Sequence, residues 1–193
     1  MNILDTLSKE EKKLGSLVKY NKNQILFHED DECEFLAVVQ KGVVNITSYT
    51  LSGQEIIYNT IRENGMFGNN LLFSKKPYYR GHVIAKTDAE LFLINKNNLI
   101  KLLQSNSAFL QLYLEMQAEF SKNLNSQIKL LSFDSAEERL LYYLKEKQVV
   151  EFASISSLAK TLFLSRETLS RLISTLVKKK IIDRKGNIIE LHK

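Results

Sequence analysis

Ile155-Ser-Ser-Leu158-Ala-Lys-Thr-Leu162-Phe163-Leu-Ser165-Arg166-Glu167-Thr168-Leu169-Ser170-Arg171-Leu172-Ile173 is the stretch on which the reading of the whole chain depends. It predicts two short helices around a tight corner. Leu158, Ala159 and Leu162 line one face of the first helix, and Ser165 is a good N-cap for the second. In the second helix Leu169, Leu172, Ile173 and Leu176 fall at i, i+3, i+4 and i+7, a single apolar stripe. At about 100° per residue, Arg166, Glu167, Ser170, Arg171 and Ser174 fall on the opposite face. Such a face suits the major groove of DNA, because Arg can bond guanine O6 and N7 together and Glu can accept from cytosine N4. In a helix-turn-helix, the first turns of the second helix meet the base edges. The blander reading of the same residues is a surface ion pair between Glu167 and Arg171 at i, i+4.

The charge distribution bears on that choice. The 193 residues carry 27 basic and 22 acidic side chains, net +5. Residues 151–193 hold 9 of the basic and 4 of the acidic ones, so the whole excess lies there and residues 1–150 balance at 18 against 18. A phosphate-binding module joined to a neutral domain has this distribution. A mere basic tail would lack the apolar periodicity. Hydrophobic content of 44% and charged content of 25% are ordinary for a globular protein with enough core to fold without staples. Cys33, the single cysteine, excludes an internal disulfide and a cysteine-rich zinc or iron-sulfur site. No run is apolar and long enough to span a membrane, and the N-terminus lacks a basic-then-apolar signal pattern, so a cytoplasmic location is expected.

From the start, residues 3–19 predict a short amphipathic helix with Leu4, Leu7, Leu14 and Leu17 on its apolar face. The pattern then changes to short apolar runs cut by turn residues. Residues 24–27, 35–39, 43–46, 56–58 and 90–94 predict strands, with Gly42, Gly53 and Gly65 at the breaks, which suggests an antiparallel roll or barrel. Glu29-Asp-Asp-Glu32 is expected to be a solvated loop, with cation binding the lesser alternative. Residues 97–132 predict helix, broken at Ser105-Asn-Ser107. The later part, about 25 residues or roughly 37 Å, carries more apolar positions than one supporting face needs. A parallel homodimer seam explains the surplus economically, and packing within one chain is the alternative. Phe133-Asp134 marks a boundary, and Ser135 caps a further helix through Leu144. Residues 181–189 predict a β-hairpin turning at Gly186-Asn187.

Ser165-Arg-Glu-Thr-Leu-Ser-Arg-Leu172 resembles the recognition helix of the cyclic-AMP receptor protein / fumarate-nitrate regulator (CRP/FNR) family of bacterial transcription factors. The Arg166-Glu167-x-x-x-Arg171 part is similar to the first branch, and Ser170 before Arg171 to the second. The corner has Phe163 where many members place Gly. Gly65-Met-Phe-Gly68-Asn69-Asn70-Leu-Leu-Phe73, with Tyr79-Arg80 and Ala85-Lys-Thr-Asp88, resembles the phosphate-binding cassette of cyclic-nucleotide-binding domains. In that pattern, amides after a Gly, a Glu on the ribose hydroxyl and an Arg on the cyclic phosphate form the pocket. A helix start and an Arg fork suit a phosphate.

Here Asn69 stands where the Glu would be. Anchoring on Gly68 and Phe73 leaves Arg80 one residue late, and anchoring on Ala85 puts Tyr79 in the Arg position. Gly68, Asn69, Asn70, Tyr79 and Arg80 are therefore the effector-pocket candidates. Cyclic AMP is disfavoured, and survival of the cassette as scaffold is the favoured reading. An iron-sulfur sensor would need more cysteines. His28, His82 and His192 are scattered, and the carboxylates around Cys33 oppose a reactive thiolate. No cofactor and no metal is expected.

The resemblance implies an α+β fold: an N-terminal double-stranded β-helix (a cyclic-nucleotide-binding-like β-roll), a long dimerisation helix and a C-terminal winged helix-turn-helix. The corresponding divisions are residues 1–107, 108–133 and 134–193. It implies a homodimer through Tyr113, Phe120, Leu124, Ile128 and Leu131. It also implies base reading by Arg166, Glu167, Ser170 and Arg171 on a near-palindromic operator. Ser156, Ser165, Thr168, Lys178 and Lys185 are the phosphate-contact candidates, with Lys179, Lys180 and Arg184 beside them. Double-stranded DNA is the expected partner. RNA polymerase is a candidate further partner, although no loop here maps onto a polymerase contact residue by residue. The alternative is a small-molecule sensor whose winged helix contacts protein instead of DNA. With no nucleophile–base pair, metal set or P-loop in the sequence, an enzyme is not expected.

Overall fold

The computed structural model describes residues 2–192, apart from the side chain of Tyr58. Two compact units divide the chain, Met1–Ala118 and Glu119–Lys193.

The first unit is an antiparallel β-roll of two four-stranded sheets. One holds β1 (Gly15–Tyr20), β8 (Ala89–Asn95), β3 (Phe35–Lys41) and β6 (Met66–Phe67), in that order. The other holds β2 (Ile25–Phe27), β7 (His82–Ala85), β4 (Val44–Tyr49) and β5 (Glu55–Ile61). The five expected strands are present. The expected helix over residues 3–19 is not. Ile3–Thr6 and Glu11–Leu14 are 3-10 turns, and Gly15–Tyr20 pairs with β8 from Gly15↔Ile94 to Tyr20↔Ala89. Leu4 and Leu7 are buried as a helix would require, but Leu17 is exposed. Val18, Lys19 and Tyr20 belong to a strand whose pairing partner lies some seventy residues away.

Asn106 accounts for the helix break. Its N–H donates to the Leu102 carbonyl, closing α1 (Lys96–Ser105). Its side-chain oxygen accepts from the Phe109 N–H at 2.9 Å, opening α2 (Ser107–Leu131). One residue thus caps both helices. Leu99, Leu102, Phe109 and Tyr113 then complete the core beside Leu36, Val38, Leu91 and Ile94.

In the second unit α3 (Ala136–Lys147) starts in a capping box made by Ser135 and Glu138. A short strand the sequence does not announce, β9 (Val149–Glu151), follows. Then come α4 (Ile155–Thr161), α5 (Arg166–Lys178), and a hairpin of β10 (Ile182–Lys185) and β11 (Ile188–Leu191). The sheet order is β10-β11-β9. Gly186 has φ 60 while Asn187 keeps a negative φ, the sign pattern of a type II′ turn. Leu140, Leu144, Leu158, Leu162, Leu169, Ile173, Leu176 and Ile189 form the core, with Leu130 from the end of α2. No helix among the described residues is long and apolar enough to cross a membrane.

Candidate nucleic-acid interface

α4 is held by a reciprocal box in which the Ser154 and Ser157 hydroxyls accept from each other's N–H, both at 3.1 Å. Leu158 and Ala159 turn its apolar side inward, and Ser156 stays in solvent. The corner is a complete Schellman motif. The Phe163 N–H bonds the Lys160 carbonyl at 3.1 Å and the Leu164 N–H bonds the Ala159 carbonyl at 2.9 Å. This geometry needs a left-handed residue at the position of Phe163, and Phe163 adopts it, with φ 55. A side chain in that conformation costs roughly 1–2 kcal/mol relative to Gly.

Ser165 caps α5 as expected: its hydroxyl accepts from the Thr168 N–H at 3.0 Å and lies 2.9 Å from the Thr168 hydroxyl. Both residues proposed to touch phosphate are thus partly engaged in the cap. Leu169, Ile173 and Leu176 are fully buried, which fixes the rotation of the helix. Arg166, Glu167, Ser170, Arg171 and Ser174 are left exposed. Among the described residues no ion pair joins Glu167 to Arg171. The Arg171 Nε instead makes a long 3.4 Å contact to the Glu167 carbonyl, so both charged ends remain available. Lys178, Lys179 and Lys180 at the end of α5, and Arg184 and Lys185 on the hairpin, are also exposed. Sequence reasoning missed Arg139, whose guanidinium reaches main-chain carbonyls on either side of this arrangement. An Arg within an ordinary amphipathic helix carries no signal for such a role.

The effector-pocket candidates are arranged differently. Gly68 has φ 81, and a side chain there would collide with the Phe35 carbonyl. Asn69 is buried, and its Nδ2 donates to Gln117 Oε1 on α2 at 2.8 Å. The Tyr113 hydroxyl lies 3.5 Å from the Asn69 carbonyl. Tyr79 is 2% exposed and stacks on Phe27 with ring centroids 4.8 Å apart. Its hydroxyl makes no well-formed hydrogen bond and has the Cys33 thiol as its polar neighbour. Burial, and then Cys33, push the phenol well above its ordinary range, while burial raises the thiol as well. Asn70 and Arg80 point to solvent. The five residues therefore do not converge: three are in the core and two outside. In the acidic loop, Asp31 spends its carboxylate on the His28 N–H at 2.7 Å and its carbonyl on the Tyr79 N–H at 2.9 Å.

Of the residues expected at a dimer seam, Tyr113 is buried in the core of the first unit. Leu124, Ile128 and Leu131 are 42%, 64% and 51% exposed, and Phe120 is half-buried. On a helix these five share one face.

Residues 17–106 match the cyclic nucleotide-binding domain family. The chain is 28% identical over 189 residues to the anaerobic regulatory protein of Bacillus subtilis (strain 168), covering 91% of this chain and 79% of that one. Its fold is similar to that of the Thermus thermophilus catabolite activator protein, with TM-score 0.58, 21% identity, and 98% and 92% of the two chains covered. It is also similar to a mutant of CooA from Carboxydothermus hydrogenoformans, with TM-score 0.70, 18% identity, and 100% and 92% covered. The chain is thus similar to cyclic nucleotide-binding domains over residues 17–106 and to a regulatory protein over most of its length, with a fold like that of the catabolite activator protein.

Proposed function

We propose that this protein is a transcription regulator of the CRP/FNR family and binds DNA sequence-specifically as a homodimer, with α4, α5 and the hairpin acting as a winged helix-turn-helix. One observation carries the reading: α5 is locked on one side by fully buried leucines and isoleucine while Arg166, Glu167, Ser170 and Arg171 stand in solvent without ion-pair partners among the described residues. Long polar side chains left unpaired on a rotationally fixed helix suit a partner that arrives from outside. Arg166 and Arg171 are assigned to guanine, Glu167 to cytosine and Ser170 to a further base edge. Ser156, Ser165, Thr168, Lys178 and Lys185 are assigned to phosphates.

The exposed part of the α2 stripe supports the dimer, through Phe120, Leu124, Ile128 and Leu131. Residues 1–107, 108–133 and 134–193 would then be the sensory or scaffold part, the dimer helix and the DNA-binding part. Two-fold symmetry puts the half-sites about one helical turn, ~34 Å, apart. The burial of Asn69 and Tyr79 supports a regulator that does not take cyclic AMP.

Enrichment of a random duplex pool on the full-length protein at moderate salt tests the proposal. A near-palindromic consensus is expected, and failure to enrich any duplex overturns it. Replacing both Phe120 and Leu124 by Glu is expected to give monomer by sedimentation and to abolish binding, since the seam would then hold unpaired carboxylates. An unchanged dimer would place the interface elsewhere.

A further inference from the structure

Arg139 of α3 has a role that neither folding pattern nor surface charge explains. Its Nε donates to the Phe133 carbonyl at 3.1 Å and its Nη1 to the Phe163 carbonyl at 3.3 Å. The first acceptor lies just beyond the end of α2 and the second at the corner between α4 and α5. Both carbonyls lie beyond the last helical residue and lack an intrahelical partner, so a cationic donor suits both. A guanidinium can serve two acceptors from one rigid plane, which an ammonium cannot reproduce.

The second acceptor belongs to the residue whose backbone is strained. Phe163 holds φ 55. Its ring is 44% exposed, so packing offsets little of that strain. The first acceptor is itself anchored: the Phe133 ring lies 5.1 Å from Tyr142, over which Lys129 Nζ sits at 4.5 Å from the ring centroid. Arg139 thus has a fixed base on one side and a strained corner on the other. We infer that Arg139 is a positioning residue for α5: it holds Phe163 in the left-handed conformation and thereby sets the angle at which α5 leaves α4, without touching DNA. Its consequence for affinity rests on the DNA-binding reading; its effect on the corner does not.

Four full-length variants test this: Arg139→Gln, Arg139→Lys, Phe163→Gly, and Arg139→Gln combined with Phe163→Gly. Glycine adopts the left-handed conformation without strain, so the double variant no longer needs the clamp. Affinity is measured on the selected duplex and on a scrambled one at several salt concentrations, and amide exchange is followed at Phe163 and Leu164. Arg139→Gln is expected to weaken the selected duplex about tenfold, the worth of one charge-assisted hydrogen bond. Scrambled DNA and the salt slope should be unchanged, and both corner amides should exchange faster. Arg139→Lys should recover part of the loss, and the double variant most of it.

Equal weakening on both duplexes with a shallower salt slope would make Arg139 a phosphate contact and overturn the inference. A loss that Phe163→Gly does not recover would reduce Arg139 to general packing and overturn it equally. Should the wild-type protein bind no duplex at all, the DNA-binding reading falls, and the exchange rates alone decide the clamp: unchanged rates in Arg139→Gln refute it.

Discussion

The β-roll and the helix-turn-helix use their polar side chains in opposite ways. In the roll, Asn69 is buried against Gln117 and Tyr79 against Phe27, so groups that resemble ligand contacts are already engaged by the protein itself. In α5 the apolar side is fixed in the core, while Arg166, Glu167, Ser170 and Arg171 are exposed and form no ion pair among the described residues. Both stretches resemble binding motifs in sequence. What separates them is whether burial has left anything for a partner to meet. A hydrogen-bonding group inside a core has exchanged water for protein, and a ligand can gain from it only by breaking that bond first.

If the comparison holds, substitutions in the roll act on stability and those on α5 act on DNA. The largest effect is expected for Tyr79→Ala, which empties the centre of the roll. A loss of roughly 3–5 kcal/mol in urea unfolding should follow. A folded variant that instead binds a cyclic nucleotide would show that Tyr79 occupies a ligand site.

Next comes Arg171→Ala. It should cost ~1–3 kcal/mol per half-site on the selected duplex, much less on scrambled DNA, and leave the urea midpoint unchanged. Lys185→Ala is the control: it should weaken both duplexes alike and lower the salt slope by about one per contact removed. Equal loss on both duplexes for Arg171→Ala would move that residue to the phosphate set.

Smaller again is Tyr79→Phe, which removes a buried hydroxyl that lacks a proper partner. A gain of about 1 kcal/mol at neutral pH is expected. The same variant sharpens the comparison through pH. Burial raises the Tyr79 phenol in the folded state, so its contribution is fully present below the ordinary value near 10 and is lost as pH rises beyond it. Tyr20, Tyr113 and Tyr143 are raised by burial in the same direction. Urea midpoints measured from pH 8 to 11 should fall less steeply for Tyr79→Phe than for the wild type. An identical decline would mean that Tyr79 does not titrate with unfolding.

The smallest effect is assigned to Lys180→Gly. α5 ends in a second Schellman motif, with the Lys180 and Ile181 N–H groups bonded to the Val177 and Leu176 carbonyls, both at 3.0 Å, and Lys180 at φ 54. Relief of the left-handed strain, less the entropy cost of Gly, should give a gain of about 0.5–1 kcal/mol in urea unfolding. A loss would show that the lysine side chain contributes more to the fold than its backbone costs.

The legible parts of the sequence were those written in local spacing. The i, i+3, i+4 leucines of α5, the serine caps at 135 and 165, the break at Asn106 and the Gly186-Asn187 turn each involve residues within a few positions of one another. Residues 3–19 failed for the converse reason. Leu4, Leu7, Leu14 and Leu17 fall near helical spacing, but Gly15–Tyr20 takes its conformation from β8, a partner no local pattern reveals. β6, β7 and β9 have only 2, 4 and 3 residues, too few for any period to show. At the cassette the motif did not show that Tyr79 would turn inward and Arg80 outward. That is settled by the ring of Phe27, from another strand.

The pairing of β11 with β9 has a consequence for how the protein is made. Ile188 to Glu190 close against Val149 to Glu151, and Ile189 is fully buried in the second core. A ribosome delivers Leu140, Leu144, Leu158 and Leu162 long before it delivers Ile189. Until then those side chains have no lid and the edge of β9 has no neighbour, so the nascent second unit is sticky through most of its synthesis. The first unit waits likewise for β8 before β1 can pair, but by the time Ile189 appears it has all its strands. The synthesis of β11 therefore governs how long the helix-turn-helix remains exposed to misassembly or to proteases.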